Sequence, residues 1–184
     1  MKLIKYPDRS QWDEILKRPV LNTESLFDTV RDIINRVRVG GDRTVMEYEA
    51  MFDKAELTSL AVTLEEIEEA EKEVPIELKA AIYLAKRNIE AFHAAQRFEG
   101  KKVDTMEGVT CWQKAVAIEK VGLYIPGGTA PLFSTVLMLA IPAKIAGCKE
   151  IVLCTPPDKN GKVHPAILFA AHLAGVSKIF KVGG

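Results

Sequence analysis

An α/β protein, with a helical region over residues 1–108 ahead of a parallel sheet over residues 109–184, is what this sequence predicts. Three observations carry that prediction. Apolar residues in the first part recur at helical spacing, the second part alternates short strand-like runs with helix-length apolar runs, and a Pro-Gly-Gly turn joins one such strand to the helix after it. Strands alternating with helices in this way are joined by crossovers and run parallel.

In chain order, Ser10 is placed to cap a short helix reaching Leu16. Thr23 or Ser25 caps a longer one, with Leu26, Val30, Ile33, Ile34 and Val37 on one face and Gly40-Gly41 as its stop. Asp42 opens the next, which carries Val45, Met46 and Tyr48. Thr63-Leu64-Glu65-Glu66 has the form of a capping box, in which Thr63 and Glu66 satisfy each other's free amides. Pro75 suits a first helical turn, and the helix it opens runs to about Arg97 with Leu78, Ile82, Ala85, Ile89 and Phe92 along one face.

From Gly108 onward strand-forming residues take over. Val109–Ile118 and Val121–Ile125 read as strands, Phe133–Ala146 as a helix, Glu150–Thr155 as a strand, Pro165–Ala174 as a helix and Ser177–Val182 as a strand. The helix over 133–146 is apolar nearly all round, so cover on both sides is expected, with Pro142 a kink unless the helix starts late.

Composition excludes several classes of function. With 184 residues the chain can bury about 70% of its unfolded surface, and it needs neither disulfide nor metal to make a core. It carries 25 basic and 25 acidic residues and no long block of like charge, which speaks against a nucleic-acid partner. The charge is uneven: residues 109–184 hold 8 basic and 3 acidic groups, a balance that suits a phosphate-bearing ligand or a scattered solvated surface. No apolar window approaches a membrane span, and there is no signal-peptide pattern. Cys111, Cys148 and Cys154 lack metal-site spacing and read as buried thiols of a reducing, cytoplasmic compartment.

The strongest candidate for chemistry is Val121–Ser134, where strand, Pro126-Gly127-Gly128 and helix start follow one another. Ligands of parallel sheets bind at the carboxyl ends of strands, and a helix N-terminus attracts phosphate. Glycines let main chain approach a ligand, and Tyr124 can stack or hydrogen-bond. A tight turn serving the fold alone explains the same residues equally well, since the stretch is not G-x-G-x-x-G and has no P-loop lysine. Cys154, at a strand end, is a packed thiol or a nucleophile without a visible base. His93, His164 and His172 are too dispersed to pair as metal ligands on a helix.

Several spaced motifs together resemble the histidinol dehydrogenase family. They are Val121–Gly128, Ser134-Thr135-Val136-Leu137-Met138, Pro142-Ala143, Thr155-Pro156-Pro157, Phe92-His93-Ala94-Ala95-Gln96 and Lys181-Val182-Gly183-Gly184, with Gly41-Asp42 and Phe52-Asp53 in the helical part. One departure is Val116-Ala117-Ile118-Glu119, where the family commonly has Arg-Pro-Ile-Glu. The resemblance implies a fold similar to the aldehyde dehydrogenases, with an incomplete Rossmann-like NAD-binding domain over 109–184 that is truncated at its C-terminal end. It implies oxidation of L-histidinol to L-histidine through L-histidinal with two NAD and a bound zinc, in a cytoplasmic homodimer. Tyr124 matches the family tyrosine that contacts NAD, and Pro126, Gly127 and Gly128 join it as cofactor-binding residues by proximity. The resemblance places the zinc ligands and catalytic residues outside this chain, so residues 1–184 are expected to be an inactive N-terminal portion. Two other readings stand beside it: another aldehyde dehydrogenase-like NAD(P) oxidoreductase, or a non-catalytic binding or assembly module.

Overall fold

A computed structural model describes residues 3–18, 23–127 and 130–184. They fall into two compact units, one ending at Gly41 and one running from Asp42 to Gly184.

In the first unit a 3-10 turn, Arg9–Gln11, leads into one helical turn, α1 (Trp12–Ile15). Ser10 lies inside the 3-10 turn instead of capping it: Asp8 and Gln11 take the cap positions, and neither side chain bonds the helix. The Trp12 indole donates to the Pro7 carbonyl (3.3 Å) and lies under the Arg9 guanidinium (5.7 Å). Helix α2 (Glu24–Phe52) follows, interrupted at Gly41 (φ 58°, ψ −145°), so the foreseen stop is a single-residue break after which the helix resumes at Asp42. The apolar stripe of its first segment forms as the spacing predicts, yet Leu26, Val30 and Ile34 remain about half exposed.

The second unit begins with the remainder of α2. Next come α3 (Leu64–Glu73), α4 (Ile76–Ala94), β1 (Lys102–Met106), β2 (Val109–Trp112), β3 (Lys120–Tyr124), α5 (Phe133–Ala146), β4 (Glu150–Thr155), α6 (Pro165–Ala174) and β5 (Lys178–Lys181). The capping box at α3 is complete: Thr63 Oγ1 accepts from the Glu66 amide (3.2 Å) and Glu66 Oε2 from the Thr63 amide (2.9 Å). Strand β1 is not apparent in the sequence, and the strand expected over 109–118 is only its short antiparallel partner. Every residue of that hairpin is exposed, so no inside-outside alternation marks it; a Thr110–Asp104 hydrogen bond (2.6 Å) ties its strands.

The central sheet is parallel, in the order β3-β4-β5, as the βαβ pattern requires. Its register puts Leu123, Leu153 and Ile179 in one row and Tyr124, Cys154 and Phe180 in the next, and successive rows point to opposite faces. The first row joins the main core, in which α4 packs on α5, α5 on α6 and α6 on α3. Helix α6 is buried along most of its length, from Ala166 through Ala171, and Leu153 is fully buried. Helix α5 continues through Pro142 to Ala146, and it is covered on one side only: Val136, Leu137, Ala140 and Ile141 are buried while Met138 and Leu139 are 49% and 40% exposed. Outside β5, residues Leu60–Val62 run antiparallel to it, with the Val62 amide donating to Ile179 O (3.0 Å) and the Lys181 amide to Leu60 O (2.7 Å).

Candidate functional site

A parallel sheet directs its loops to one end, and the loops after β3, β4 and β5 meet there around a cavity of about 700 Å3. Tyr124, Pro126 and Gly127 line it, together with Thr155-Pro156-Pro157, His164 at the entry to α6, and Gly184. Three of the four predicted cofactor-binding residues therefore share one cavity; the fourth, Gly128, lies outside the described residues.

Gly127 is bare for a reason the sequence does not show. A Cβ there would come within 2.6 Å of Pro156 Cγ, so the turn after β3 closes on the loop after β4 only with glycine at this position.

Tyr124 is 44% exposed, with its hydroxyl end at Gly184, where a Cβ would fall 3.2 Å from Oη. Burial pushes its phenol above the usual range, and the negative charges of Asp53 and Glu49 push it further, while a hydrogen bond to the Gly184 backbone opposes them. The tyrosine is thus a neutral hydroxyl beside two carboxylates.

Those carboxylates come from α2 and the residue after it, one helical turn apart, so they lie on the same side. Glu49 is buried (3% exposed), and its Oε1 accepts from the Gly183 amide at 2.7 Å. Its Oε2 has no hydrogen-bond partner among the described residues. Burial, then the charge of Asp53, raises its pKa against the Gly183 bond. Asp53 lines the cavity itself, and its Oδ2 stands 2.3 Å from where a Gly183 Cβ would be.

The charge of the cavity differs from that of the chain's second half. Glu66, Glu69, Glu73, Asp53 and Asp158 line it, against Lys162. Glu66 pairs with Lys181 (2.6 Å) and Glu69 with Lys162 (3.4 Å). Asp158 is held by its own loop: Oδ1 accepts the amides of Asn160 (2.8 Å) and Lys162 (2.9 Å). Burial acts to raise its pKa, but those amide bonds and the Lys162 charge outweigh it and keep the carboxyl ionised.

The remaining candidates are structural. Burial pushes the Cys154 thiol up, which makes it a poor nucleophile. Cys148 is buried, whereas Cys111 is exposed on β2, contrary to the expectation of three buried thiols. His164 caps α6, its Nδ1 accepting from the Ala166 amide (3.2 Å). His93 contacts Gln96 (3.1 Å), and His172 is exposed. No three His, Cys, Asp or Glu side chains gather in an arrangement fit for a metal ion among the described residues.

Glu49, Asp53 and Gly183 escape sequence reasoning as site residues because they lie far from Tyr124 in the chain, more than 70 positions before it or close to 60 after it. The available signal was the helical spacing of Glu49 and Asp53, two acids one turn apart at the end of an otherwise amphipathic segment.

Comparison with known proteins places this geometry. Residues 16–184 match the family model described as histidinol dehydrogenase. The chain is 93% identical over all 184 residues to a histidinol dehydrogenase of Bacteroides fragilis, covering 43% of that protein. It is 49% identical over 175 residues to that of Escherichia coli K12, covering 95% of this chain and 39% of the relative. The crystal structure of histidinol dehydrogenase from Elizabethkingia anophelis superposes with a TM-score of 0.92 at 48% identity, over 97% of this chain and 41% of the other. The chain thus spans about two fifths of the length of the relatives it matches.

Proposed function

Since this chain belongs to the histidinol dehydrogenase family, we propose that it supplies the N-terminal portion of an enzyme that oxidises L-histidinol to L-histidine through L-histidinal, with NAD as oxidant. The observation that supports an NAD role for this portion is the convergence of Tyr124, Pro126 and Gly127 on one cavity at the carboxyl ends of the parallel strands. The donor set fits the nucleoside part of a dinucleotide: the ring of Tyr124 offers a stacking face and Asp53 an acceptor for ribose hydroxyls. The carboxylates of Glu66, Glu69 and Glu73 disfavour pyrophosphate on their side of the cavity.

When bound, NAD supplies the hydride acceptor. This chain's own residues orient it: Tyr124 bounds one side, the Pro126-Gly127 main chain leaves room beside it, and Pro156 fixes that turn. Zinc, a cytoplasmic location, a homodimer, and the division at residue 108 between a helical region and the NAD-binding part all belong to the same reading. None of the described helices is long and apolar enough to cross a membrane.

The test is Tyr124→Ala in the full-length enzyme. The KM for NAD rises several-fold, in keeping with an aromatic contact worth about 0.5–1.5 kcal/mol, and the KM for histidinol stays within experimental error. An unchanged KM for NAD sinks the assignment. Residues 1–184 alone, in which no metal-holding cluster gathers among the described residues, are expected to reduce no NAD with histidinol.

A further inference from the structure

A glutamate 3% exposed is unusual, because an ionisable group is rarely buried unless it is paired. Glu49 is half paired: Oε1 takes the Gly183 amide at 2.7 Å, and Oε2 has no partner among the described residues. An apolar side chain at this position would leave that amide without its acceptor. The segment it holds is confined from several sides. The Val182 amide donates to Thr155 O (3.0 Å), and Gly183 sits between Asp53 and Pro156, where a Cβ would meet Oδ2 at 2.3 Å and Pro156 Cβ at 3.3 Å. The next residue, Gly184, lies against the phenol, where a Cβ would fall 3.2 Å from Tyr124 Oη and 3.3 Å from Cζ.

We infer that Glu49 is a positioning residue for Tyr124: by fixing the Gly183 amide it holds Gly184 against the phenol and sets the ring presented to the cavity. The consequence for NAD rests on the function proposed above; the positioning itself does not. Glu49 does not line the cavity, so it positions the ring through the glycine segment, and its charge, which also reaches the phenol, is separated from that role by Glu49→Gln. Glutamine can replace it, offering the same acceptor to Gly183 and an N–H toward Asp53. Alanine cannot.

The experiment uses the full-length enzyme labelled with 3-fluorotyrosine, with Tyr124→Phe assigning the Tyr124 fluorine resonance. Glu49→Ala shifts or broadens that resonance and raises the KM for NAD by no more than the several-fold of Tyr124→Ala, with kcat and the KM for histidinol little changed. Glu49→Gln leaves both near wild type. An unmoved resonance in Glu49→Ala overturns the inference whatever the kinetics. A moved resonance with unchanged KM for NAD supports the positioning and overturns the assignment of Tyr124 to NAD. If Glu49→Ala does not fold, Glu49→Asp, which draws the acceptor back by one methylene, is judged by the same criteria.

Discussion

The two faces of the central sheet are made by the same three strands, one residue out of step, and they obey different physics. The row Leu123, Leu153 and Ile179 meets a helix layer and belongs to the apolar core. The adjacent row, Tyr124, Cys154 and Phe180, is only partly buried, and Tyr124 lies within electrostatic reach of Glu49 and Asp53. One face is stabilised by area removed from water, which depends little on direction. The other depends on directed contacts among few atoms, where a single bond decides the geometry. Stability therefore resides mainly on the first face and site geometry on the second.

Substitutions can break that contrast, and the largest effect is expected on the core face. Leu153→Ala destabilises the unit by about 2–5 kcal/mol, the range for emptying a fully buried leucine site. Urea denaturation measures it, and a loss no larger than that of Cys154→Ala would abolish the distinction between faces. Gly183→Ala comes next: its Cβ must displace Asp53 or Pro156, at a cost of about 1–3 kcal/mol by overpacking, and NAD binding weakens in parallel. Core stability lost without any change in NAD binding would detach Gly183 from the site.

Two carboxylates sharpen the contrast through pH. Glu49 has its pKa raised above 4.5 in the folded state, so folding binds its proton more tightly than unfolding does. Its contribution is full below about 4.5 and is lost as pH rises through the folded value. Asp158 is the reverse: lowered from 3.8, it contributes above that value and the contribution fades as pH falls through the folded one. Stability curves of Glu49→Gln and Asp158→Asn against wild type should therefore diverge at opposite ends of the acid range. Divergence in the same direction would refute the environments assigned to them. The smallest effect is Cys154→Ala, about 1 kcal/mol or less, since its thiol is only half-buried and makes no hydrogen bond that the site needs.

The core face was legible in the sequence and the site face only in its local part. Strands β3, β4 and β5 and helices α5 and α6 fall within a residue or two of their expected limits, because burial imprints periodicity on consecutive residues. The hairpin β1-β2 left no such imprint, being exposed on both sides. Of the site, Tyr124, Pro126 and Gly127 were readable since they sit in one turn. Glu49, Asp53 and Gly183 were not, because chain folding alone brings them together across more than 120 residues, and no local pattern records it.

The pairing of Leu60–Val62 with β5 gives the sheet a polarity of growth. Hydrogen-bonding groups at Ile179 and Lys181 on that margin are already engaged, so it cannot template a neighbour there. The margin of β3 carries no described partner, and a Cβ on Gly122 would meet nothing within 4 Å. Among the described residues the open edge of this sheet is therefore that of β3, the strand that carries Tyr124.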